Sequence, residues 1–167
     1  QFIQTEPYPN KPSSQKSEVM ITYDDEAIYI AAMLYDSSPD SILKELSIRD
    51  NYGNTDLFSV QFDTFHDLQN RFEFGVTAAG VQFDEKTGAQ TFDVVWESDV
   101  KITDMGWAVE IKIPYSAIRF PEKDIQEWGV QFTRSIRRNR EYSHWQYIAP
   151  DIQNYVSYFG VLNGIEK

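Results

Sequence analysis

Apolar and polar residues alternate along most of this chain with a period of two. Residues 27–35 place Ile28 and Ile30 on one face, and residues 107–113 repeat this arrangement. Because successive side chains of a β-strand point to opposite faces, each run predicts a strand with one buried side. Turn-forming residues such as those at 24–26 separate the runs, which favours strands joined by short loops.

The remaining alternating runs are residues 18–24, 56–63, 71–77, 81–84, 94–102, 128–136, 142–148 and 155–161. About nine strands with little helix predict an all-β fold, and we expect an antiparallel β-sandwich of the jelly-roll or immunoglobulin type. One or two short helices are predicted, at residues 38–46 and after Pro114. Residues 1–17, which carry three prolines, predict an extended lead-in before a single domain over residues 18–167.

The charge and the composition exclude several kinds of protein. The 167 residues carry a formal net charge of −11, which disfavours binding to nucleic acid or to an anionic membrane surface. There is no cysteine for disulfides or zinc–thiolate sites, and no stretch is long and apolar enough for a membrane helix. Aromatic residues make up 15% of the chain, as expected of a β-rich core. The sequence starts at Gln1 without a signal peptide, and we expect a processed form or a fragment.

Residue patterns for catalysis are sparse. His66 and His144 lie in polar surroundings without a metal-ligand partner at fixed spacing, and no serine lies in a nucleophile-elbow motif. Acidic pairs such as Asp24 and Asp25 lie at turns, where aspartate accepts backbone hydrogen bonds. We therefore expect no enzymatic activity. Structural calcium is an alternative use for the acidic side chains, but no EF-hand spacing identifies its ligands.

Aromatic residues beside polar ones form the strongest binding signal. Sugar rings present flat C–H faces that stack on aromatic rings, while their hydroxyls bind charged or amide side chains. The stacking candidates are Tyr52, Trp96 and Trp145. The hydroxyl-binding candidates are Arg49, Asp50, Arg71 and Glu73. For the two tryptophans, a place in the hydrophobic core is an equal alternative.

An ordered set of short motifs spans nearly the whole chain. The set comprises EVMITYDD at 18–25, AIYI at 27–30, RD at 49–50, DLFSVQFDTF at 56–65, RFEF at 71–74, WES at 96–98, GWAVE at 106–110, IPY at 113–115, RF at 119–120 and WG at 128–129. Taken together, these motifs resemble the family 9 carbohydrate-binding modules. The resemblance is to the amino-terminal module of large bacterial envelope proteins in particular.

The resemblance implies a β-sandwich, a sugar ligand and a periplasmic, outer-membrane-associated or extracellular location. It also implies structural calcium, as in the wider family, and a downstream domain of the same parent protein as a partner. Arg71 and Glu73 are the nearest counterparts of the family's polar residues that bind sugar hydroxyls. Well-studied members hold a terminal sugar between two tryptophans, whereas the matching loop here carries Tyr52. Ser59 stands where some members carry a binding acid.

Three hypotheses of function follow. The first is a non-catalytic module that binds a neutral oligosaccharide or polysaccharide, since the negative charge disfavours polyanionic glycans. The alternative is a structural or interaction module of a larger outer-membrane or secreted protein, without sugar binding. The third is a haem-binding relative of the sandwich, with ligands drawn from Met20, Met33, Met105, His66 or His144.

Overall fold

A computed structural model describes residues 1–166 of the chain. These residues form eleven strands in two antiparallel sheets, which confirms the predicted β-sandwich. The strands are β1 (Ile3–Glu6), β2 (Ser17–Tyr23), β3 (Ala27–Tyr35), β4 (Leu57–Asp63), β5 (Phe72–Thr77), β6 (Gln82–Lys86), β7 (Glu97–Thr103), β8 (Gly106–Pro114), β9 (Ile125–Ile136), β10 (Glu141–His144) and β11 (Gly160–Glu166). Across this range, no helical segment is long and apolar enough to cross a membrane.

The two sheets differ in size. The larger sheet runs in the order β1-β10-β9-β4-β5-β6, and β11 pairs with the part of the β9 edge that β10 leaves open. The smaller sheet runs in the order β2-β3-β8-β7. Its central pair, β3 and β8, is the one whose alternation is most regular in the sequence.

The sheets pack their apolar faces together to form the core. The largest fully buried apolar side chains include Trp107, Trp128, Phe58, Phe62 and Phe74.

A charged side chain is enclosed with these rings. Arg134 is fully buried, and its guanidinium donates to the carbonyl oxygens of Lys16 at 2.9 Å and Tyr35 at 2.7 Å. These bonds offset the cost of burying a charge, and they join β9 to β3 and to the residue that precedes β2.

The two ends of the chain depart from the predicted elements. Residues 1–17 are not only an extended lead-in, because they include β1, which pairs with β10 at the edge of the larger sheet. The strand predicted at residues 155–161 begins instead at Gly160, since Tyr155–Tyr158 form a 3-10 turn.

The helix predicted at residues 38–46 is reduced to the 3-10 turn Pro39–Ser41. Ile42 is buried, but Leu46 is 79% exposed, so the apolar residues of this segment do not form one helical face against the core. A second 3-10 turn follows Pro114, where the other short helix is predicted. Within residues 1–166 the helical content is limited to such short turns.

The long strand β9 determines where one surface loop runs. One edge of β9 pairs with β4, and the other edge pairs with β10 from residue 133 onward and with β11 up to residue 130. Between these two partners, residues 145–159 leave the sheet. Trp145 packs on the inner side, whereas Tyr155 and Phe159 lie over the outer face, against Arg71 and Gly129. Gln131 fastens this segment, because its side chain accepts from the Gln146 N–H at 2.9 Å and donates to the Gln146 carbonyl at 2.8 Å.

Candidate functional site

The outer face of the larger sheet carries polar side chains that are shielded from solvent. They are Ser59 and Gln61 on β4, Glu73 on β5, Thr133 on β9 and His144 on β10, and each is at most 8% exposed. Strand alternation directs them away from the core, and residues 145–159 form part of their cover. Because polar groups without water must be paired within the protein, their hydrogen bonds define the arrangement.

Glu73 is the centre of this network. Its Oε1 accepts from the Ser59 hydroxyl at 2.8 Å and from Nε2 of Gln61 at 3.4 Å. Its Oε2 accepts from Nη2 of Arg71 at 2.9 Å, and Nε of Arg71 donates to Oε1 of Gln61 at 3.0 Å. Charge-assisted bonds of this kind fix the orientation of both the carboxylate and the guanidinium.

The network continues across the sheet to β10. Nε2 of Gln61 donates to Oγ1 of Thr133 at 3.2 Å, and that oxygen lies 2.9 Å from Nδ1 of His144. The connected set is called the polar band from here on, and it comprises Arg71, Glu73, Ser59, Gln61, Thr133 and His144.

Burial determines the charge state of the polar band. It raises the pKa of the Glu73 carboxyl, and the Arg71 guanidinium and the Ser59 hydroxyl offset part of that rise. Burial also lowers the pKa of His144 to about 4, so that its imidazole is neutral at pH 7. With Arg71 and Glu73 compensating each other, the band offers many hydrogen-bonding groups and little net charge.

Tyr52, Tyr142 and Tyr155 surround the polar band. The ring of Tyr155 has its centroid 5.3 Å from the guanidinium carbon of Arg71, a cation–π contact. The ring of Tyr142 meets the His144 ring edge to face, with centroids 5.4 Å apart. Burial raises the pKa of all three tyrosines, and the negative charge of Glu73 adds to the rise, as expected for hydroxyls near this carboxylate.

Tyr52 is the most accessible of these rings, at 45% exposure. It rests edge to face on Phe83 of β6, with centroids 4.6 Å apart. Phe83 in turn lies flat over Gly75, where an added Cβ would be 2.0 Å from Cζ of the ring. β5 therefore requires glycine at this position, because the Phe83 ring occupies the space of a side chain.

Of the predicted ligands, the structure brings Arg71, Glu73 and Tyr52 together. Arg49 lies at the edge strand β6 instead, where its guanidinium pairs with Asp84 and, at 3.2 Å, with Asp93. The Asp50 carboxylate accepts the backbone N–H of Asp84 at 3.2 Å. These two residues fasten the loop that carries Tyr52 to the sheet, which is a positioning role.

The predicted tryptophans are both placed against the core. Trp96 is 4% exposed, packs edge to face against Phe74 with centroids 5.5 Å apart, and donates its Nε1–H to Asp84. Trp145 is partly buried on the inner side of the larger sheet, with its centroid 5.8 Å from that of Phe132. Packed in this way, neither ring joins Tyr52 at the polar band, and both tryptophans follow the core alternative.

The sequence interpretation missed several residues of the band and its surroundings, namely Gln61, Thr133, His144, Tyr142 and Tyr155. The sequence contains a signal for Gln61 and Thr133. In the middle of β4 and β9 the outward residues Ser59, Gln61, Gln131 and Thr133 are uncharged, whereas a strand face open to water usually carries lysine or glutamate. For Tyr155 there was no local signal, since its place depends on how residues 145–159 cross the sheet.

The acidic side chains of the described residues mainly bind the backbone of loops. Within residues 1–166, no group of three or more histidine, aspartate and glutamate side chains is arranged to hold a metal ion. The carboxylates cap turns instead. Asp67 accepts the backbone N–H groups of Gln69 at 2.9 Å and Asn70 at 2.8 Å, and Asp24 accepts that of Glu26 at 2.8 Å.

The candidate haem ligands lie far apart in the fold. Met20 and Met33 are on the outer face of the smaller sheet, and Met105 is in the turn between β7 and β8. His144 belongs to the polar band, and His66 lies in the loop between β4 and β5. Positions on opposite faces of a sandwich cannot converge on one iron, so the fold does not favour this hypothesis.

Comparison with known proteins identifies structures of the same architecture. No family model matches the sequence, and the curated proteins contain no match. A protein from Bacteroides uniformis for which carbohydrate binding has been proposed superposes with a TM-score of 0.75 at 12% identity, covering 98% of this chain and 85% of its own.

A family 9 carbohydrate-binding module from Caldicellulosiruptor kristjanssonii is similar in two complexes. The complex with cellotriose has a TM-score of 0.64 at 16% identity, over 96% of this chain and 80% of the module. The complex with glucose has the same score and identity, over 96% of this chain and 82% of the module. The chain therefore has the fold of the family 9 carbohydrate-binding modules.

Proposed function

We propose that this chain is a non-catalytic carbohydrate-binding module that binds a neutral saccharide at the polar band. The observation that carries the proposal is the set of buried, mutually bonded polar side chains on an outer sheet face, flanked by tyrosine rings. Ligand sites in proteins combine a few oriented polar groups with aromatic walls in this manner. Similarity of fold to modules solved with glucose and with cellotriose supports the same function.

The chemistry of the band suits sugar hydroxyls. Arg71 supplies fixed N–H donors and Glu73 supplies carboxylate acceptors, and a pair of adjacent hydroxyls on a sugar ring can bond to both. Tyr52 and Tyr155 add ring faces for the C–H surface of the sugar. Because the network already fixes these side chains, little side-chain entropy is lost on binding.

A neutral ligand follows from the charges around the band. The Arg71 guanidinium is paired with Glu73 at 2.9 Å and with Glu85 at 3.5 Å, so its positive charge is compensated within the protein. The whole chain has a formal net charge of −11, which opposes the approach of an anionic glycan. Oligosaccharides and polysaccharides of neutral sugars are therefore the ligands that we propose.

A structural or interaction module remains the second candidate, and one observation favours it. The outer face of the smaller sheet contains a groove of about 680 Å³ whose apolar lining includes Met20, Tyr29 and Ala31, and Met20 is 72% exposed. Exposed apolar surface of this kind is typical of protein contacts. A downstream domain of the same parent protein, in a periplasmic, outer-membrane-associated or extracellular setting, is the partner that we propose for it.

The test of sugar binding is a glycan array followed by isothermal titration calorimetry of the best glycans. We expect Tyr155→Ala to weaken binding by about three- to tenfold and Tyr155→Phe to retain most of the affinity, because phenylalanine keeps the ring. Tyr8→Ala is a matched control, since Tyr8 is 67% exposed in the loop after β1. Absence of binding to every neutral glycan would contradict the proposal and leave the interaction module as the better hypothesis.

A further inference from the structure

A second concave surface lies beside the polar band, at the end of the larger sheet where β4 turns into β5. It is a pocket of about 390 Å³, and the side chains that matter here are Phe65, Asn70, Arg71, Lys86, Thr87 and Arg119. Arg71 belongs both to this pocket and to the polar band, because its Nη2 donates to Glu73 at 2.9 Å. The two surfaces are therefore continuous at this guanidinium.

Phe65 is held in solvent at the edge of the pocket. Its side chain is 52% exposed although the residue lies only two positions after the end of the buried strand β4. About half of the Phe65 ring is therefore open to a ligand, and the ring borders the polar groups of the pocket.

The loop that carries Phe65 is tied down at several points. The Asp63 carboxylate accepts the N–H groups of Asp67 at 3.1 Å and Leu68 at 2.7 Å. Nδ1 of His66 lies 2.8 Å from Oε1 of Glu127, which joins the loop to β9. The ring of Phe65 is thus exposed by a loop with many internal bonds, and such a loop presents the ring in one position.

The polar groups of the pocket are available to a ligand. Across the described part of the chain, neither Lys86 nor Arg119 forms an ion pair. Asp63 and Asp67 also line the pocket, but their carboxylates accept backbone N–H groups of the loop itself. The Asn70 amide nitrogen donates to Oδ2 of Asp67 at 2.7 Å, and Nζ of Lys86 lies 5.3 Å from the centroid of the Phe72 ring. Arg119, Lys86 and the Asn70 side-chain oxygen therefore keep hydrogen-bonding capacity for a ligand.

We propose that this pocket is a second saccharide subsite, which takes the sugar unit linked to the one in the polar band. Phe65 would stack on that unit, while Arg119, Lys86 and Asn70 would bond its hydroxyls. The inference rests on the proposed function, and it deepens it by assigning the second sugar unit of such a ligand to named residues.

The experiment is calorimetry of the intact chain with three matched series of sugars. The series are glucose, cellobiose and cellotriose, then xylose, xylobiose and xylotriose, then N-acetylglucosamine with its β-1,4-linked dimer and trimer. In the series that binds, we expect the trimer to bind about three- to tenfold more tightly than the monosaccharide. Phe65→Ala should remove this difference and leave the affinity for the monosaccharide unchanged, whereas Phe65→Trp should retain it.

The two proposals fail in different ways. Equal affinity for monomer and trimer, or a chain-length effect that survives Phe65→Ala, would overturn the second subsite and leave sugar binding intact. No binding to any member of the three series would contradict both. Because Phe65 is exposed, its replacement should not unfold the protein, and Tyr8→Ala serves as the control for loss of a surface ring.

Discussion

The guanidinium of Arg71 contacts Glu73 and Tyr155 at the same time. Its Nη2 donates to Oε2 of Glu73 at 2.9 Å, and its central carbon lies 5.3 Å from the centroid of the Tyr155 ring. Glu73 belongs to β5 and Tyr155 to the segment that crosses the sheet, so this one side chain joins the floor of the polar band to its cover.

Replacement of Arg71 by methionine should destabilise the fold. The change leaves the Glu73 carboxylate, which is 8% exposed, without its cation, and loss of one partner of a buried pair costs about 3 kcal/mol. The double variant Arg71→Met, Glu73→Gln should recover most of the loss, because a neutral amide is less costly to bury than a carboxylate. Urea denaturation measures both. A double variant no more stable than the single one would contradict this explanation.

Replacement of Gly75 by alanine should weaken both stability and sugar binding. The new methyl group would displace the Phe83 ring, and overpacking of this kind costs about 1 to 3 kcal/mol. Tyr52 rests on that ring, so saccharide affinity should fall as well.

The double variant Gly75→Ala, Phe83→Leu separates these two effects. A smaller side chain at position 83 relieves the clash, so we expect thermal stability to return while affinity stays low. Recovery of both properties together would show that Tyr52 does not depend on Phe83 for its position.

The stability of the protein should depend on the protonation of Asp56. Burial raises the pKa of this carboxyl to about 6, while Arg134 and Arg138 act in the opposite direction. Because the pKa in the folded state exceeds that of the unfolded chain, the stabilising contribution is complete below about pH 4 and is lost as the pH rises through about 6.

Asp56→Asn removes this titration. The free energy of unfolding of the variant, relative to the natural protein, should therefore be about 2 to 3 kcal/mol higher at pH 7 than at pH 4. Urea denaturation at the two pH values provides the measurement. The same difference at both pH values would contradict a raised pKa at this position.

Protonation of His144 should lower the free energy of unfolding as the pH falls, whereas protonation of Asp56 raises it. Burial lowers the pKa of His144 to about 4, below the value of the unfolded chain, so its contribution is complete above about pH 6.5 and is lost as the pH falls through about 4. In the His144→Asn variant, the fall in the free energy of unfolding between about pH 6.5 and pH 4 should be smaller by about 3 kcal/mol. Titration of the His144 ring protons by NMR tests the assignment directly, and a midpoint near 6.5 would be evidence against it.

The regular strands could be predicted because their two faces meet different surroundings. Residues 27–35 are predicted as a strand, and β3 has the same bounds. The first part of β9 does not follow the pattern, since Ile125 is 62% exposed while Gln126 is 1% exposed. The Gln126 amide is buried because it donates to the carbonyl oxygens of Pro121 at 3.0 Å and Lys123 at 2.7 Å, a compensation that no hydrophobic pattern contains.

The candidate site could be predicted in part, namely Arg71 and Glu73 from a strand pattern and Tyr52 from its polar neighbours in a loop. Arg71 and Glu73 follow from the alternation of residues 71–77, which places Glu73 on the outward face of β5 and Arg71 just before the strand on the same side. Tyr155 could not be assigned in this way, because its contact with Arg71 joins parts of the chain more than 80 residues apart. Trp96 and Trp145 were predicted as site residues but pack against the core, because a polar neighbour in sequence does not indicate whether a ring faces water.

The divided edge of β9 gives the protein a region that can change independently. Residues 145–159 leave the sheet beside Thr133 and return beside Val130, so both ends of the segment lie a few residues apart on one strand. Loops with neighbouring ends tolerate changes in length and sequence at small cost to the scaffold. Successive substitutions in the largely exposed middle of this segment, residues 150–154, could therefore alter the preferred ligand over evolutionary time. An engineer could randomise these positions while the pairing of both flanking strands is preserved.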